Sequence, residues 1–599
     1  MERPAANRSE PEAGLIPSPT VLAVSLQPVT IPSDDPHRFR RRVALGVLFL
    51  GLLVVMTRPS WDTLSHKVVN LGDPVLYLWS WNWTRHAIVN APSHLFDGNI
   101  YWHHDLTVAY TDNLLLLLLP FSVLRALGAS WALELNLISL GLIYGSLATT
   151  YSLAHRFTQR IDASVFAAAA YTFGGYTFAH QGHIQLLLIG QFPLGFLLAF
   201  RWLERRRTRD AIGFGLINAS FFLGSLYYAA IWTVCVAVIL IGTLLADRFR
   251  PGRPFWTGLP VVGLCTALAV PFVIPYLTLA GERPLVPEWG LDVRDLFVVA
   301  RHNILYRGLD HWAATFPTRW EHTFFPGFTT LAFAVVGIVG IVVAGRATTS
   351  RLGHIFPADR RREIWLLIAA GVIALVLSFG PEIYGRRAPF AWFHDSVPGF
   401  AGIRVAARLA VPGLLAVAVL AAIGITAVTH MLKTRTGAIV AVGLTVFLLV
   451  ELATPVTYIP LPDDRRTLAV YRALKHRPPG AVVELPIQSP IDSLAWASVE
   501  APRMLYSTLD LHPRVNGYSG SFPTDYVEHK DVFNQFPAPA ALRAARTLGV
   551  RYFILHEGSY EGFPQYRADE IAAAIRGLPP TAHTSRLGSA WLIDLGPQR

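Results

Sequence analysis

The stretch LGDPVLYLWSWNW, residues 71–83, holds one acid, Asp73, between a glycine and a proline. It comes soon after the first apolar run long enough to cross a bilayer. Read locally, Asp73 caps a helix: proline suits the first helical turn and aspartate the position before it. Read as chemistry, a lone acid at a membrane boundary is a functional candidate by default. Further on, HHD at 103–105 groups His103, His104 and Asp105, ligand types that suit a divalent ion. Adjacent histidines point apart on a strand or helix, so a solvated turn is the competing explanation. Asp112 precedes LLLLLLP and reads as a site acid or as that helix's cap. His180 and His183 are three residues apart and share a face if the segment is helical. Tyr227 and Tyr228 fall at the next external turn and are candidates to line a site with that histidine pair. Arg404 and Arg408, four apart, aim at one point; singly, each is explained by snorkelling to lipid phosphates.

The elements that must position these residues belong to a membrane protein. The chain has 599 residues, 52% of them hydrophobic and 15% charged, and mean hydropathy is +0.40. Soluble domains carry roughly a quarter charged residues. Net charge is +11, which in such a chain collects in cytoplasmic loops and does not indicate nucleic-acid binding. Cys235 and Cys265 both lie in apolar segments and suggest neither a disulfide framework nor a zinc site. Apolar runs of crossing length lie near 43–58, 114–128, 131–154, 163–179, 184–203, 211–227, 228–246, 257–280, 326–345, 364–380, 408–429 and 436–454.

Basic clusters set the orientation. RFRRR at 38–42, ERRRTR at 204–209, RFRPGR at 248–253, RRR at 360–362 and KTR at 433–435 belong in the cytoplasm. AHQGH at 179–183 and the loops 281–325 and 381–407 are then external. One conflict stands: loop 59–112 is external and Arg156 internal, yet two apolar runs lie between them. One of those runs is therefore split, re-entrant or interfacial, and the total is odd, 11 or 13. Residues 1–38 read as a disordered cytoplasmic tail, 39–454 as the membrane part, and 455–599 as a small external α/β domain. The last assignment rests on AVVELPI at 481–487, VRYFILH at 550–556 and AWLIDL at 590–595, with helical strings between them. From Pro74, the positions Leu76, Trp79, Trp83 and Ala87 recur at helical spacing and predict an amphipathic helix in the membrane interface.

Four segments carry a family resemblance: GDPVLYLW at 72–79, FDGNIYWHH at 96–104, HQGHIQLLLIGQFPL at 180–194 and VPGFAGIRVAAR at 397–408. Over most of residues 43–430 the chain resembles the GT-C superfamily of multi-spanning membrane glycosyltransferases. Protein O-mannosyltransferases and aminoarabinose transferases belong to it. The resemblance implies a fold of about 11 to 13 transmembrane helices and a polyprenyl-phosphate-linked sugar donor held in a lipid bilayer. It implies an envelope glycan, lipid or protein as acceptor, and in some members a divalent ion. It makes Asp73 the general base, with Trp79 on the helix that guides the prenyl chain. A phosphate leaving group needs cations, a role for Arg404 first, then Arg408 and Arg301. The resemblance implies a location at the outer face of a bacterial cytoplasmic membrane.

Two other function classes compete. A flippase for a lipid-linked glycan should place its polar residues at midplane and show an inverted repeat. Here the polar residues gather at external helix ends. A non-catalytic envelope protein with the same fold fits if Asp73 is only a cap. The segment PRVNGYSGSFP at 513–523 reads as an ordered loop of the tail, facing the membrane or a glycan.

Overall fold

The computed structural model describes residues 36–279, 289–316, 319–346, 351–489, 496–557 and 567–597. The expected disordered tail falls outside these up to residue 35, and a helix runs from Pro36 to Thr57, taking in the arginine row. The described residues from Phe49 onward form one compact unit.

Among the described residues, six helices are long and apolar enough to cross a membrane: Trp131–Thr158, Ile184–Arg205, Leu226–Ala246, Phe328–Arg346, Ala406–Thr429 and Thr434–Leu452. Arg253–Ala267 and Val270–Thr278 make a seventh if taken as one span bent by 57°. Prolines at 271 and 275 remove backbone donors there. The apolar runs thus outnumber the long apolar helices. Ile161–Thr172 has 12 residues and Thr208–Leu223 has 16. Pro36–Thr57 and Ala358–Ser378 are long enough but open on arginines.

The parity conflict has a structural answer. Leu115–Ala126 is a short apolar helix, and at about 1.5 Å per residue it covers roughly 18 Å, short of the ~30 Å hydrocarbon core. Between the first loop and Arg156, only the 28-residue helix Trp131–Thr158 is long and apolar enough to cross. Ion pairs show which helix ends lie together. Arg156 bonds Glu363 at 2.7 Å and Glu204 at 2.9 Å. Arg360 bonds Glu204 at 3.0 Å, and Arg362 bonds Asp247 at 2.8 Å. The arginine-rich turns thus share one end of the bundle.

Helices 328–346 and 411–429 touch backbone to backbone. A Cβ on Gly337 would stand 2.0 Å from the Leu420 carbonyl oxygen, and one on Gly424 2.1 Å from that of Phe333. Small residues allow such approach, which replaces hydrophobic association inside lipid.

The tail builds a four-stranded sheet. Strand Ala481–Leu485 pairs parallel with Val550–His556, which pairs antiparallel with Ala590–Asp594, and His583–Leu587 lies at the edge. The first three match the strings read from sequence. The edge strand HTSRL is polar and half exposed, so it carries no burial pattern to read. The tail is joined to the first loop as well: Lys67–Val68 pairs antiparallel with Ile459–Pro460. Helix Trp496–Ser507 packs on helix Asp73–Asn90.

That second contact corrects the interfacial reading of residues 73–90. Pro74 through Trp81 are all buried, on every side of the helix. The indoles bond to protein acceptors: Trp79 to Asn99 Oδ1 at 2.9 Å, Trp81 to the Leu114 carbonyl at 3.3 Å, Trp83 to the Asp97 carbonyl at 2.7 Å. Tail and loop cover the face that a lone amphipathic helix would give to lipid. Its exposed residues, Arg85 and Ile88 to Asn90, all fall in its last third.

Candidate active site

Asp73 is the first residue of its helix, and Gly72 takes the cap position without a side-chain bond. The local reading of Asp73 as a cap is therefore displaced by one residue. Its carboxylate is turned to other partners. Oδ1 accepts a hydrogen bond from the Tyr518 hydroxyl, a group of the tail. Oδ2 faces His183 Nε2 at 3.6 Å, beyond hydrogen-bond reach. Oδ2 has no hydrogen-bond partner among the described residues, and Asp73 and His183 side chains are 20% and 24% exposed. One carboxylate oxygen is held and the other is open. Burial draws the His183 imidazole below its usual pKa against the opposing charge of Asp73, which favours the neutral ring. Its Nδ1 is buried without a partner among the described residues.

The segment that delivers Tyr518 is built by a buried polar network. Arg514 donates to Glu484 at 2.8 Å and to Asp510 at 2.7 Å. The Asn516 side chain accepts from Glu484 N and donates to the Glu484 carbonyl and Glu500. Burial alone would raise Glu484, but His556 and Arg514 bring it down to about 2. Gly517 then passes beneath the Tyr101 ring, where a Cβ would stand 2.5 Å from a ring carbon. The first loop and the tail also share backbone bonds, Tyr101 N to Asn516 O and Trp102 N to Arg514 O.

The arginine pair divides. Arg408 is buried and donates to Glu321 at 3.1 and 2.5 Å. His180, wholly buried, reaches the same carboxylate at 3.2 Å. Burial opposes ionisation there, yet Arg408 and His180 hold Glu321 well below the usual carboxylate range. Arg408 and His180 are thus committed to an internal ion cluster and do not line an open surface. Arg404 differs. Its Nε is buried without a hydrogen-bond partner among the described residues. Its Nη2 lies 3.7 Å from the Cβ position of Gly520, and its charge acts on the Tyr518 phenol. Tyr227 sits between the two: its hydroxyl accepts from Arg404 N at 3.3 Å and its ring lies 5.2 Å from the Arg408 guanidinium.

The remaining candidates sort by burial. Asp112 accepts from Leu226 N and from Ser225, both at 3.1 Å, so it caps helix Leu226–Ala246 and not the LLLLLLP segment. Burial pushes Asp112 up to about 6 despite those donors. Tyr228 is fully buried, bonded to Tyr176 and the Leu186 carbonyl, and Trp79 is fully buried too, so neither lines a surface. Arg301 is exposed and shares no hydrogen bond or ion pair with these groups among the described residues. In the metal candidate, His103 and His104 group with Asp525 of the tail, and Asp105 is outside the group. Sequence reading missed Tyr518, Glu321 and Asp525 as site residues; the glycines and aromatics of PRVNGYSGSFP were the signal for the first.

No family model matches the chain, and no curated protein matches it. Among solved structures it is similar to the arabinofuranosyltransferase AftD from Mycobacteria, with TM-score 0.57 and 13% identity over 93% of this chain. A structure of a mutant of that enzyme gives TM-score 0.58 and 15% identity over 93% of this chain. The chain spans 40% of the length of the first and 42% of the second. This likeness shows the fold: over most of its length the chain shares the helical architecture of the matched part of AftD, with six described helices long and apolar enough for a multi-pass membrane protein.

Proposed function

We propose that this chain is an inverting glycosyltransferase that moves a sugar from a polyprenyl-phosphate donor to an envelope glycan, lipid or protein acceptor. The reaction runs at the outer face of a bacterial cytoplasmic membrane, with the arginine-rich end of the bundle in the cytoplasm. One observation carries the reading: the half-held carboxylate of Asp73, beside His183 and within the charge field that Arg404 sets around Tyr518.

The chemistry follows from that arrangement. An acceptor hydroxyl approaches Asp73 Oδ2, and its oxygen attacks the anomeric carbon while Asp73 takes its proton. The bond from that carbon to the phosphate oxygen breaks, and the electron pair leaves on the polyprenyl phosphate. Arg404, with an unused buried donor, meets the growing phosphate charge. Tyr518 fixes the carboxylate plane through Oδ1. His183, its ring kept neutral by burial, stands 3.6 Å from Oδ2 on the open side of the carboxylate. The gathering of polar groups at one bundle end favours this reading over a transporter.

The test uses the full chain in detergent or liposomes, with radiolabelled sugar on polyprenyl phosphate and an envelope extract as acceptor. Label is expected to leave the lipid fraction for the acceptor. Label that changes leaflet without leaving the lipid supports the transporter, and label that does neither removes the reading.

A further inference from the structure

His103, His104 and Asp525 each offer one ligand atom, and the three atoms lie within 4.8 Å of one another. The His104 Nε2 to Asp525 Oδ1 distance is 2.9 Å. The two imidazoles stack with ring centroids 4.9 Å apart. A tetrahedral zinc ion bound at 2.0–2.1 Å needs ligand atoms about 3.3 Å apart. The His104 to Asp525 spacing is already near that value, and His103 is an exposed side chain able to close the remaining distance. His103 has no hydrogen bond among the described residues, so the His104 to Asp525 bond leaves one imidazole unexplained.

His529 of the tail lies outside that group of three but one helical turn from Asp525. Asp525 precedes helix Tyr526–Phe533, and His529 N donates to the Asp525 carbonyl at 2.9 Å, so the two residues share a helix face. His103 and His104 act electrostatically on His529.

We infer that His103, His104 and Asp525, with His529 or water as fourth ligand, form a binding site for a borderline divalent metal ion such as zinc. Two or three imidazoles with one carboxylate suit zinc, cobalt or nickel, and disfavour magnesium or calcium. The site joins the first loop to the tail just after the Tyr518 segment. Ser521, on the same stretch, also donates to the Tyr110 carbonyl at 3.3 Å. The ion therefore fastens the loop that carries Tyr518 and is a structural clamp. This inference does not depend on the reaction proposed at Asp73.

The experiment uses the full chain in detergent, stripped with chelator and desalted. Zinc chloride is added and bound metal is measured by mass spectrometry and calorimetry, with cobalt(II) as a spectroscopic probe. One zinc per chain is expected, with tetrahedral cobalt absorption. H103Q, H104A and D525N are each expected to weaken zinc binding at least ~10-fold, as even outer-sphere partners of a metal do. D105N is expected to bind as the parent does. Because His103 is exposed, H103Q keeps the fold and the test holds even if H104A unfolds. Absence of bound zinc, or equal binding by parent and H103Q, overturns the inference and leaves His104 and Asp525 as a hydrogen-bonded latch.

Discussion

The Tyr518 hydroxyl donates to Asp73 Oδ1 although the two residues are 445 positions apart. The tail thereby completes the site that the first loop begins. Tyr518→Phe keeps the ring and removes the bond. Hydrogen bonds to charged groups are worth about 1.5–3 kcal/mol, so the rate of sugar transfer is expected to fall roughly 10- to 100-fold. Initial rates at saturating donor, with normal membrane insertion, check this.

Gly517 sets the height of Tyr518. The obstacle to a Cβ there is the rigid Tyr101 ring at 2.5 Å. Gly517→Ala is expected to cost about 1–3 kcal/mol by overpacking. Thermal unfolding in detergent should show a lower midpoint, with sugar transfer reduced as the loop shifts.

The two arginines should separate by phenotype. Glu321→Gln leaves Arg408 buried beside a neutral amide, and breaking a buried pair costs about 3–5 kcal/mol. Glu321 is held well below the usual carboxylate range. Its contribution is therefore present above the ordinary carboxylate pKa and is lost as pH falls through the depressed one. The parent should lose stability on acidification below about pH 4.5, and Glu321→Gln should lack that limb. Arg404→Ala should leave unfolding nearly unchanged while sharply weakening transfer from the phosphate-linked donor.

Much of this was legible in the sequence because helical membrane segments announce themselves by length and apolarity. Of the site candidates picked from the sequence, Asp73 and His183 come within 3.6 Å of each other, and Arg404 acts on Tyr518, which bonds Asp73. Burial was not legible. Trp79 looks interfacial until helix 496–507 covers it, and Arg408 looks like a twin of Arg404 until Glu321 meets it. Tyr518 and Asp525 reach the first loop only through the folded tail, and local pattern does not encode that contact.

Asp112 gives a pH test of opposite sign. Its carboxyl is raised from 3.8 to about 6, so the folded state holds the proton more tightly. Its favourable contribution is full below the ordinary value and is lost as pH rises through about 6. Asp112→Asn, which still accepts from Leu226 N, should abolish that step. Denaturation midpoints between pH 4 and 7, roughly the titration window, check this.

The central claim is that Asp73 takes the acceptor proton. Asp73→Asn keeps size and an Oδ1 acceptor for Tyr518 but removes the base. The direct measurement is the single-turnover rate of sugar transfer from labelled polyprenyl-phosphate donor, with donor binding measured in parallel. Binding should be kept and the rate should fall about 10²- to 10⁴-fold, the usual weight of general-base catalysis. A rate equal to the parent's, with donor bound normally, would contradict the account.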